Sequence, residues 1–84
     1  MKTEYKQGTH DYAGFVDDEC QKACHEFAGE NEELVGGRTG GDLYREFGEL
    51  KASDLPAAGT EKEIRKAARE LTEARLKAAK FKPL

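Results

Sequence analysis

Residues 60–83 read TEKEIRKAARELTEARLKAAKFKP, and the reading of this stretch decides the fold class. It opens on Thr60-Glu61-Lys62-Glu63, the pattern of a capping box: the Thr60 hydroxyl accepts from the Glu63 amide while the Glu63 carboxylate reaches back to the Thr60 amide. Good helix formers follow as far as Lys82, and Pro83 stops the run. Ile64, Ala67, Leu71, Ala74, Ala78 and Phe81 are spaced 3, 4, 3, 4 and 3, which predicts a single apolar face at about 100° per residue. Glu61 with Arg65, Lys66 with Glu70, Arg69 with Glu73 and Glu73 with Lys77 are opposite charges at i,i+4, each worth roughly 0.2–0.5 kcal/mol. The segment is therefore expected to be a long C-terminal amphipathic helix.

Moving outward, Gly36-Gly37-Arg38-Thr39-Gly40-Gly41 is expected to be a loop, because four glycines in six residues cost too much backbone entropy for a regular element. Asp42 follows as the expected N-cap of another helix, with Leu43, Tyr44, Phe47 and Leu50 as its stripe. Gly48 interrupts that helix and Ser53-Asp54-Leu55-Pro56 ends it. Further upstream, Tyr12, Phe15, Val16, Cys20, Ala23, Cys24 and Phe27 recur with helical period, so a helix is expected from about Asp11 to Ala28, with Gly29 as its stop. Gly14 weakens its first turn by roughly 1 kcal/mol relative to alanine, which moves the alternative start to Asp17. Glu30 to Val35 has room for one more short turn, and residues 1–9 form a polar arm, either ordered or frayed. None of these amphipathic helices can bury its stripe alone. The expectation is an all-α fold in one domain, residues 1–84, built as a compact bundle of three to four short helices around one core, with the glycine-rich loop at 36–41.

Composition bounds the function. The chain has 84 residues, enough for one core, and 37% of them are charged, against about 25% in an average domain. Residues 1–50 hold five Lys/Arg and twelve Asp/Glu, a net of −7, while residues 51–84 hold nine and five, a net of +4. The simplest consequence is that the basic C-terminal part packs on the acidic N-terminal part. No apolar run approaches the roughly 20 residues of a membrane-spanning helix, and the polar start lacks the apolar stretch of a signal peptide, so a cytoplasmic protein is expected. The alanine-rich stripe of the last helix makes a weak coiled coil, which favours a monomer.

Three patterns invite a chemical reading. His10, Cys20, Cys24 and His25 are the candidate metal ligands, since cysteines at i,i+4 share a helix face. Both cysteines also fall on the apolar stripe between Val16 and Phe27, and His25 points about 100° away from Cys24. They are expected to be buried core thiols, with no metal and no cofactor; a disulfide between them would close too short a loop to stabilise anything. Gly36 and Gly41 stand at the spacing of the two P-loop glycines, but Asp42 and Leu43 occupy the places of its Lys and Ser/Thr, so the loop is a connector. Nothing resembles a catalytic constellation, and no catalytic residue is assigned.

The remaining candidate is a basic ridge on the C-terminal helix, Lys62, Arg65, Lys66, Arg69 and Lys80, with Glu73 among them. By elimination, the expected function is a non-catalytic protein-binding module, an inhibitor, adaptor or regulator of a larger complex, its ridge meeting an acidic protein surface. The alternatives are a nucleic-acid-binding regulator using the same ridge, disfavoured by a pI near 5.4 and by the lack of interleaved aromatics, and a zinc-stabilised structural module.

Overall fold

A computed structural model describes residues 3–82 of the chain. In order, it contains β1 (Tyr5–Lys6), α1 (His10–Glu30), α2 (Gly40–Phe47), a single 3₁₀ turn (Ala52–Asp54), β2 (Ala58–Gly59) and α3 (Glu61–Ala78). The fold is mostly helical, as expected, with three helices and one small antiparallel strand pair among the described residues. None of these helices is long and apolar enough to cross a membrane.

α1 starts ahead of Gly14 because Thr9 caps it, accepting from the Tyr12 amide, and Asp11 lies in the first turn where the helix end carries partial positive charge. It runs through Gly29, the expected stop, and ends at Asn31, whose backbone amide and side-chain Nδ2 both donate to the Phe27 carbonyl at 3.0 Å. Residues 32–37 then turn without forming another helix. Gly36 and Gly37 take φ of 64° and 90°, a left-handed backbone that favours glycine.

The start of α2 corrects the expected loop and cap. Thr39 is the N-cap and Asp42 is the third helical residue, each bonding to the other's backbone amide as a second capping box. Gly40 and Gly41 therefore belong to the helix. Gly40 lies so close to α1 that a Cβ there would stand 2.6 Å from His25 Cα.

α3 begins on Thr60 and Glu63 as expected, the reciprocal bonds measuring 3.2 and 3.0 Å. It ends at Ala78, with Ala79 extended, four residues before the expected end; Pro83, the expected stop, lies outside the described residues. Its buried face is also rotated. Ile64, Ala68, Thr72 and Leu76 are buried, Ala67 and Leu71 half-buried, and Ala74 and Ala78 exposed. A strict i,i+4 row is one of the ridges by which helices interdigitate, and here it lies along α1. Thr72 qualifies for the interior because its hydroxyl donates to the Ala68 carbonyl at 2.8 Å and lies 3.2 Å from Cys20 Sγ.

In the described part of the polar arm, Tyr5 and Lys6 pair with Gly59 and Ala58. Gln7 extends the pairing through its amide to the Ala57 carbonyl, while its side chain donates towards the carbonyls of Ala52, Leu55 and Pro56. Met1 and Lys2 lie outside the described residues. α1 packs against both α3 and α2, and α2 meets α3 over a narrower area that includes the bond from Arg75 Nη1 to the Phe47 carbonyl (3.1 Å). At the shared end, Cys24, Phe27, Val35, Leu43 and Leu76 form the core, edged by Phe47 and Phe81. Arg38 closes it, donating to the carbonyls of Val35 (3.0 Å) and Lys82 (2.6 Å) with its guanidinium over the Phe81 ring.

Candidate interaction surface

The five ridge residues do not form one surface. Lys62, Lys66 and Lys80 are exposed, but Arg65 and Arg69 turn towards α1 and are half-buried. Arg65 Nη1 donates to Asp18 (2.7 Å) and Glu19 (3.3 Å), and its Nε to Glu61 (2.9 Å). Arg69 Nε donates to Glu19 at 2.6 Å and its Nη1 to Glu26. Glu19 is the pivot, a carboxylate only 8% exposed that receives both arginines and so escapes the cost of an unpaired buried charge. The Arg65 guanidinium also lies 5.2 Å from the Phe15 ring centre, and Phe15 meets Tyr5 edge-on. Its hydrogen bond to Asp18, helped by Lys22, holds that carboxyl below the usual carboxylate range. The acidic and basic parts of the sequence therefore do meet, as their charges implied, and the two arginines of the expected ridge are what joins them.

The candidate metal ligands are not brought together. Cys20 and Cys24 are free and fully buried, whereas His10 and His25 are exposed on the same helix. Among the described residues no group of three or more His, Cys, Asp or Glu side chains is placed to hold a metal ion. Burial raises both thiols, Cys24 to about 11, so each stays protonated near neutrality and is a weak nucleophile.

What the ridge does not supply, the opposite end of α1 does. The turn after α1 alternates: Val35 is 1% exposed and anchored in the core, while its neighbour Leu34 is 55% exposed, the one large apolar side chain so exposed among the described residues. Leu34 stands at the mouth of a cleft of about 470 Å³ between α1 and α3, with Ala23 and Phe27 in its lining. Glu26, Glu30 and Glu73 line the same cleft, with Arg69 and Lys77 as its cations. Glu32 and Glu33 lie beside Leu34 on the turn.

These carboxylates crowd the C-terminal end of α1, where the helix already carries partial negative charge and where its last turn has no basic residue. Glu30, Glu32 and Glu33 are exposed and make no ion pair among the described residues. A helix end built for stability alone would carry lysine or arginine there. The signal was present in the sequence as an acidic run placed after a helix rather than before one, ending in Leu34-Val35, but periodicity treats both apolar residues alike. No family model, curated protein or solved structure matches this chain.

Proposed function

We propose that the protein is a non-catalytic protein-binding module, an inhibitor, adaptor or regulator of a larger assembly, and that it meets its partner through the Leu34 end. The observation that carries this reading is Leu34 itself, an exposed leucine held outward by the burial of Val35 and placed beside a partly apolar cleft. An apolar anchor next to a pocket, rimmed by polar groups, is the arrangement by which interfaces concentrate their binding energy. A binding role also accords with the chemistry of the interior, whose two thiols are buried and protonated. A nucleic-acid reading has less support, because Arg65 and Arg69 are neutralised by Asp18, Glu19 and Glu26.

The test is affinity capture from cell extract, with and without nuclease treatment, using the wild-type chain and Leu34→Ser. Leu34 is largely exposed, so the variant should keep its thermal unfolding within a few degrees. A protein held by the wild type and lost with Leu34→Ser supports the reading. Retention of nucleic acid alone, released by nuclease and indifferent to residue 34, overturns it.

A further inference from the structure

We infer that the Leu34 cleft takes a cationic amphipathic segment of another protein, an apolar side chain entering against Leu34 and Phe27 while lysine or arginine meets the glutamates. This rests on the reading of the Leu34 end as the contact surface and adds the chemistry of what occupies it. It differs from the expectation of an acidic partner on the ridge of α3, since the surface here is acidic and the segment basic.

Charge decides between the possible occupants. Five carboxylates, from Glu26, Glu30, Glu32, Glu33 and Glu73, surround the cleft and turn, against Arg69 and Lys77. Arg69 already bonds to Glu19 and Glu26, and the uncompensated carboxylates are those of Glu30, Glu32 and Glu33, nearest Leu34. The carbonyl end of α1 adds its own negative potential to the same place. Nucleic acid and anionic membrane are both repelled by such a field. A second copy of this chain would bring Leu34 to Leu34 but also these glutamates to their own kind, and like charges juxtaposed across an interface oppose association.

A cationic protein segment is the occupant for which the field is attractive. It must also be amphipathic, because a purely cationic strand would leave Leu34 and the cleft floor in water. Docking an apolar stripe into a groove between helices, with charges steering the approach, is an established recognition mode.

The probe is a fluorescein-labelled lysine–leucine peptide with leucine at i, i+3, i+4 and i+7. Its control has the same composition scrambled so that no face is apolar. Anisotropy titration at about 0.1 M salt, where charges interact over roughly 10 Å, should give tighter binding of the patterned peptide, weakening as salt rises. Leu34→Ser, which leaves the net charge unchanged, should weaken it by about tenfold or more, and Glu30→Gln with Glu33→Gln, which removes two negative charges, should weaken it similarly. Amide shifts should concentrate at residues 26–34 and 69–77. Equal affinity for the scrambled peptide, indifference to Leu34→Ser, or shifts centred on another acidic patch would each overturn the inference. Capture through Leu34 of a partner with no basic segment, while the peptide fails to bind, would also overturn it and leave the protein-binding reading standing.

Discussion

A methyl group on Gly40 would stand 2.6 Å from the Cα of His25, and backbone cannot step aside as a side-chain tip can. Gly14, inside α1, faces open space with nothing within 4 Å of the same added atom. Gly40→Ala is therefore expected to cost about 1–3 kcal/mol through overpacking. Gly14→Ala should stabilise by roughly 0.5–1 kcal/mol, by removing backbone freedom from the unfolded chain. Urea unfolding midpoints of the two variants should move in opposite directions, and a stabilised Gly40→Ala would mean that α2 does not lie against α1 as described. In the sequence both glycines look alike, as breakers. What separates them is a neighbour far away along the chain, and no local pattern carries that. The same holds for Arg65 and Arg69: a helical wheel places them beside Lys62 and Lys66, and only the position of Glu19 on another helix turns them inward.

Elements were legible where they are closed by local chemistry. The Thr60–Glu63 box gave the start of α3, and the period of Tyr12 to Phe27 gave α1. Glycine at the first two helical positions masks the Thr39–Asp42 box in the sequence, and two-residue strands are too short to show any alternation. The buried face of α3 departs from the 3-4 spacing for a chemical reason. Alanine counts as apolar in a periodicity and threonine does not, yet the interior took Thr72, its hydroxyl satisfied by Ala68, and left Ala74 and Ala78 outside. This yields a prediction in which the two leucines of α3 differ. Leu76 is fully buried in the core cluster, so Leu76→Ala should cost about 2–5 kcal/mol. Half-buried Leu71 should cost clearly less when truncated. Chemical denaturation of both variants checks this, and a larger loss at Leu71 would restore the face expected from the 3-4 spacing.

At the scale of the molecule, the sequence's lopsided charge was the most informative global signal, and the fold resolves it only in part. Asp18, Glu19 and Glu26 are matched by arginines of α3, while Glu30, Glu32 and Glu33 stand beside Leu34. Which carboxylates are matched depends on which side of α1 each neighbour covers, a matter of tertiary packing that a net charge per half cannot report. α1 makes most of the contact with both other helices, which join each other through the core cluster of Leu43 and Leu76 and the Arg75 bond to Phe47. Loosening α2 removes its contacts with α1 and the Arg75 bond to Phe47 but leaves the Arg65, Arg69 and Glu19 seam in place. The expectation is that α2 and α3 open to different extents about one spine, coupled where Arg75 bonds to the Phe47 carbonyl and where Leu43 and Leu76 share the core. Native-state hydrogen exchange should show this as two families of amides with different opening free energies, those of α2 the lower because its eight residues hold the least backbone. The inner amides of α1 should exchange only when both leaves have opened together. A single opening energy shared by all three helices would mean that the protein has no such freedom; two would give a partner at Leu34 a way to quiet one leaf while the other keeps its own rhythm.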